Sequence, residues 1–113
     1  MRKIAYVGLM LMLSGCSSMQ DLREAAPNNE FISNKSIDDV STCIMGSWQT
    51  QSQRYGSVFI QQYGAGKTVY TQSQLEMVDV TRPNNVTKIK FYHQGGLLGY
   101  RVNSRLESIK QCL

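Results

Sequence analysis

The chain has 113 residues, of which 12 are basic and 8 acidic, with three cysteines, one histidine and a hydrophobic fraction of 42%. That length holds one small folded domain and not two. A single histidine leaves no conventional histidine-based metal set, and half of the formal net charge of +4 comes from Arg2 and Lys3 alone.

The chain opens with "MRKIAYVGLMLMLSGCSS": a positive start at Arg2 and Lys3, an apolar run from Ile4 to Leu13, then small residues. This is the layout of an export signal. An apolar run of about ten residues is too short to span a bilayer core, which needs about 20. "LSGC" at Leu13 to Cys16 resembles the lipobox of bacterial lipoproteins, matching at all four positions. The resemblance implies cleavage before Cys16, a diacylglycerol on its thiol and usually an acylated new amino group. Two or three chains, at about 0.8 kcal/mol per buried methylene, give lasting attachment. Inner-membrane retention of enteric-type lipoproteins typically needs aspartate after the cysteine. Ser17 and Ser18 follow here, which points to the outer membrane of a Gram-negative envelope.

The division that follows is 1–15 as signal peptide, 16–35 as lipidated cysteine and flexible tether, and 36–113 as a single domain. Residues 17–34, "SSMQDLREAAPNNEFISN", are polar, with Pro27, Asn28 and Asn29 at the centre and little regular apolar spacing. As a tether they would let the domain stand off the membrane by tens of ångströms.

"SIDDVSTCIMGSW" offers Ser36 as a helix N-cap, with Asp38 and Asp39 in the first turn, where the helix dipole favours negative charge. Ile37, Val40, Ile44 and Trp48 recur at helical spacing, predicting an amphipathic helix that ends near Gly46. Beyond it, "GSVFIQQY", "KTVYTQ", "LEMVDVT" and "VTKIKFYH" are rich in β-branched and aromatic residues and are separated by turn or break signals. In the last of them Ile89 and Phe91 alternate with Lys88 and Lys90, as in an antiparallel sheet with one buried face. The final "SRLESIKQCL" reads as a helix, with Ser104 and Glu107 spaced as a capping box and Leu106, Ile109 and Cys112 or Leu113 on one stripe. The expected fold class is α+β: about four antiparallel strands with an N-terminal and a C-terminal helix.

With Cys16 lipidated, Cys43 and Cys112 form an even pair in an oxidising envelope, and a disulfide between them is expected to tie the two helices. Charge is unevenly placed. Residues 17–46 carry a net −3 and residues 82–113 a net +5, which is either a solvated surface or a face for anionic lipid or an acidic partner.

"QQYGAGKTVY" contains GAGKT, the tail of a phosphate-binding loop. That loop needs glycine where Gln61 stands, and a helix where "TVYTQ" reads as strand. Gly64-Ala65-Gly66 is therefore a hairpin turn, and no nucleotide is expected. His93 lacks any local signature that would place a nucleophile near it. "QGGLLGYR" is the candidate contact segment, because Leu97 and Leu98 stand beside Tyr100 and Arg101, a composition common at contact hot spots. Two placements stay open for it: an exposed hairpin tip, or a turn that feeds the leucines into the core.

These readings point to a lipid-anchored, non-enzymatic binding module of inhibitor, exclusion or immunity type, with an envelope protein as partner. They assign no cofactor, no metal, no nucleic acid and no catalytic residue. The alternative is a structural or assembly component of an envelope secretion or conjugation complex. In size, anchor and a terminal cysteine the chain is similar to the membrane-bound lysozyme inhibitors. It lacks their serine- and lysine-bearing motif, and none of their active residues is transferred.

Overall fold

The computed structural model describes residues 18–113, so the expected signal peptide, lipobox and lipidation site at Cys16 lie outside the described residues. In chain order the elements are α1 (Ser18–Glu24), β1 (Asn29–Ser33), α2 (Ile37–Gln49), α3 (Ser52–Tyr55), β2 (Val58–Tyr63), β3 (Gly66–Thr71), β4 (Glu76–Thr81), β5 (Thr87–His93) and α4 (Gly99–Gln111).

Strands β2 to β5 form an antiparallel meander, as their alternation predicts. Gly64 and Ala65 make a two-residue turn, with Gly64 at φ +56°, a conformation that costs glycine nothing. Gly66 next to it has no room for a side chain, since a Cβ there would lie 2.2 Å from the Val80 carbonyl oxygen. The segment between β4 and β5 is braced by Arg82, whose guanidinium donates to Thr87 Oγ1 (2.8 Å), the Asn85 carbonyl (2.7 Å) and the Lys35 carbonyl (3.2 Å).

The sheet has five strands and not four, in the order β1-β5-β4-β3-β2. The additional strand, β1, lies in the stretch read as a tether, and it pairs antiparallel with β5 from Asn29↔Phe91 to Ser33↔Thr87. Its five residues carry little sequence signal. What holds it is the open edge of β5, reinforced by Asn28, whose N–H donates to the Phe91 carbonyl (2.8 Å) and whose Oδ1 accepts from the His93 N–H (3.0 Å). α2 is consequently not the N-terminal element. Residues 18–33 belong to the fold and leave little free tether among the described residues.

One face of the sheet is covered by α2 and α4. Val40, Ile44 and Trp48 of α2 and Ile109 and Cys112 of α4 pack on Val58, Val69, Val78, Val80, Ile89 and Phe91. Each large apolar side chain removed from water in this way contributes about 1.5–3 kcal/mol. Trp48 meets Phe91 edge to face, with ring centroids 6.2 Å apart. α2 begins as expected, with the Asp39 N–H donating to Ser36 Oγ (3.0 Å), but it runs past Gly46 to Gln49. The Cys43–Cys112 disulfide joins it to α4 across a Cα separation of 5.7 Å.

α4 starts at Gly99, well before Ser104. Ser104 is therefore inside the helix and is no cap. Its carbonyl accepts from Ser108 Oγ (3.2 Å) and its hydroxyl accepts from Gln51 Nε2 (2.7 Å). Continuity of helical bonding from Leu98 onward outweighs the local capping pattern.

α1 lies on the opposite face. Arg23 donates from Nε to Asp79 Oδ2 (2.8 Å) and from Nη2 to Asp79 Oδ1 (2.9 Å) and Thr68 Oγ1 (2.9 Å), while its Cζ sits 3.9 Å over the Tyr63 ring. A fork-to-fork pair of this kind fixes both distance and plane. It holds a seven-residue helix that would be marginal alone.

Candidate partner-binding site

Glu76 opens β4 with its side chain on the helix-covered face, fully buried. A buried carboxylate requires charged or hydrogen-bonding partners, and α4 supplies them one turn apart. Arg101 forks onto it, Nε to Oε2 and Nη2 to Oε1 (2.9 Å), while Thr71 Oγ1 donates to Oε1 (2.9 Å). Arg105, itself fully buried, places Nε 3.5 Å from Oε1. Its Nη1 donates to the Trp48 carbonyl (3.2 Å) and to Gln51 Oε1 (3.0 Å), whereas Nε and Nη2 meet no hydrogen-bond acceptor among the described residues.

Aromatic rings close the cluster. Arg105 Cζ lies 4.9 Å from the Trp48 ring centroid and 5.3 Å from that of Tyr55; Arg101 Cζ lies 5.2 Å from Tyr55, and its Nη2 donates to the Tyr55 carbonyl (3.0 Å). Burial pushes the Glu76 pKa up. The hydrogen bonds from Arg101 and Thr71 and the charges of both arginines outweigh it, holding the carboxyl below its ordinary value. Arg101 is raised, first by its hydrogen bond to Glu76, and Arg105 is lowered by burial. A carboxylate kept ionised in this way is a poor proton shuttle near neutrality. It is a fastening for the start of α4.

That fastening fixes a surface patch. Leu98, at the N-cap of α4, is 60% exposed and Tyr100 is 57% exposed, and Arg54 of α3 lies between the rings of Tyr100 (5.8 Å) and Tyr55 (5.7 Å). Of the four residues singled out in "QGGLLGYR", the structure turns Leu98 and Tyr100 outward, leaves Leu97 half-buried and turns Arg101 inward to Glu76. Arg101 positions the patch and is not itself displayed. The segment is neither of the two expected forms. It is a turn at Gly95 and Gly96 running directly into a helix.

Sequence reading missed Arg54, Tyr55, Glu76 and Arg105. The i,i+4 spacing of Arg101 and Arg105 was the one available sign of a shared acidic target. His93 stands elsewhere, with Nδ1 2.9 Å from the Gln94 carbonyl oxygen and its ring beside Phe91. GAGKT is the β2–β3 turn and the start of β3.

The α1-bearing face holds a groove of about 330 Å³ beside the Arg23–Asp79 pair, walled by Tyr63, Tyr92, Lys88, Lys90 and Pro83. Burial, followed by the nearby Asp79 charge, raises the Tyr92 hydroxyl.

No protein family, no characterised protein and no solved structure matches the chain. The functional reading rests on its own residues. Among the described residues no helix is long and apolar enough to cross a membrane.

Proposed function

We propose that this chain is a lipid-anchored lipoprotein of the cell envelope, attached through Cys16 and acting as a non-enzymatic binding module of inhibitor, exclusion or immunity type. The observation that carries the reading is the pairing of two exposed apolar residues, Leu98 and Tyr100, with a helix start that Glu76 and Arg101 hold rigid. Rigid aromatic anchors beside arginine make effective contact sites, because little conformational freedom is lost on binding. The expected partner is an envelope protein, and the outer membrane is the proposed location.

The test is affinity capture from envelope extract with the oxidised full-length chain, in parallel with the Leu98→Ala and Tyr100→Ala variants. One stoichiometric partner, retained by the parent and lost from both variants, supports the module. Capture unaffected by either variant overturns the site, and a mature mass without acyl chains overturns the anchoring.

The alternative, a structural or assembly component of an envelope machine, is favoured by one specific observation: a sheet edge left uncovered among the described residues.

A further inference from the structure

That edge belongs to β2. The Gln72 N–H donates to the Ser57 carbonyl (3.0 Å), and this rung sets the parity of the β2–β3 ladder. In antiparallel pairing hydrogen-bonded and non-hydrogen-bonded pairs alternate. With the register Val58↔Thr71 to Tyr63↔Gly66, residues 59, 61 and 63 therefore bond to β3. Val58, Ile60 and Gln62 turn their N–H and C=O groups outward, where no strand pairs with them among the described residues.

Proteins guard such edges with charge, proline, a bulge or a short strand. "VFIQQY" has no charged residue and no proline, and it spans six residues without a break in register. On its α1-bearing side two rings stay partly exposed, Phe59 at 42% beside Tyr70 and Tyr63 at 37% beneath Arg23.

We propose that this edge pairs with the same edge of a second copy of the chain, giving a ten-stranded antiparallel sheet with Gln61 on the two-fold axis. Three features select a second copy over another occupant. The strand is self-complementary, because Gln61 on the axis sets Ile60 against Gln62 of the partner subunit. Phe59, which stacks on Tyr70 of its own chain at 5.3 Å, then stands across from Tyr63 of the partner subunit, so the aromatic row continues across the axis. Lastly, residues directly opposite in a sheet share a face, so the two-fold axis is normal to the sheet and both copies carry α1 on one side. Two chains anchored just ahead of α1 would then face a single bilayer, with Met19 of each copy, whose Sδ meets Gln61 Nε2 at 3.7 Å, beside the axis. Under the lipobox reading only residues 16 and 17 precede α1, too few to supply a strand of the chain's own. Confinement to a membrane further raises the effective concentration of the pair.

The experiment measures the association state of the full chain in detergent micelles by sedimentation velocity, together with oxidative cross-linking of Gln61→Cys against Glu30→Cys on the β1 edge. The expected result is a dimer that cross-links through Gln61→Cys and not through Glu30→Cys. Gln61→Lys places like charges on the axis, and Gln62→Pro removes an outward N–H without touching the β3 ladder. Each should weaken the dimer by roughly tenfold or more while circular dichroism is unchanged. Leu98→Ala and Tyr100→Ala should leave it intact, which separates this inference from the α4 patch. A chain monomeric at every concentration overturns the proposal, as does a dimer that survives both edge variants or cross-links through Glu30→Cys. Amide protection of β2 gained only on adding envelope extract to a monomeric chain also overturns it, and assigns the edge to a strand of another protein.

Discussion

Replacing Glu76 by glutamine leaves Arg101 and Arg105 inside the fold with no countercharge. Breaking a buried pair from one side typically costs about 3–5 kcal/mol, so Glu76→Gln should lower the urea midpoint by a matching amount. The pH dependence follows from the lowered carboxyl pKa. The unfolded chain binds a proton at a higher pH than the folded one does. The stabilisation is thus complete above the ordinary carboxylate value and is lost as pH falls through that value toward the lowered folded one. The parent should weaken steeply on acidification across that window, and Glu76→Gln should flatten this part of the curve; an unchanged slope would assign acid sensitivity to other groups. None of this is written locally in the sequence. "LEMVDVT" shows a strand with a glutamate in it, and only the packing of α4 decides that this glutamate is inside. Arg101 was singled out as a contact residue and is instead turned inward to Glu76, because solvent and buried placements of an arginine share the same local pattern.

At the level of elements, what could be read was what local periodicity specifies. α2, its Ser36 cap, the four meander strands and the Cys43–Cys112 pair all have signals within a few residues or in cysteine parity. β1 and α1 do not. A five-residue strand and a seven-residue helix are stabilised by what they dock on, and Arg23 reaches Asp79 across 56 positions of sequence. Arg23→Ala should therefore release α1 alone: amide exchange at residues 18–24 should accelerate strongly while β2 to β5 keep their protection. Equal loss of protection across the sheet would show that α1 is integral to global stability. The Cys43→Ser, Cys112→Ser double variant tests the other tie. Closing a loop of 69 positions should stabilise by about 4 kcal/mol on the chain-entropy model, so the variant should unfold at markedly lower denaturant. Its residual fold should still bury Trp48, observed as a blue-shifted emission.

For the molecule as a whole, the α+β class was legible, whereas α1 and β1 were not, and residues 18–33 read as a tether. A long tether implied a domain standing off the lipid. With α1 built onto the sheet, lipid on Cys16 would be separated from the fold by Ser17 alone, and a residue spans at most about 3.6 Å. Under the proposed anchoring the α1-bearing face lies close to the bilayer and the α2–α4 side faces away. In vesicles holding a headgroup quencher, a fluorophore on Lys88→Cys should be strongly quenched and one on Asp39→Cys weakly. Equal, weak quenching at both positions would restore a free-swinging domain.

The disulfide also decides how the molecule answers a pull. Under the proposed anchoring and partner site, a load drawn from the lipid would enter through α1 and a partner at Tyr100 would resist from α4, inside the span that Cys43 and Cys112 close. Traction along that line can undo the Arg23–Asp79 clasp, peel β1 from β5 and unwind the start of α2, paying out roughly 85 Å of chain at about 3.4 Å per residue. At Cys43 tension passes through sulfur to Cys112 and back along α4 to Tyr100, so β2 to β5 are bypassed and only α4 would be left to yield. Under that anchoring the fold would act as a compliant leader in series with a covalently limited body, extending by a bounded length while β2 to β5 stay out of the line of load.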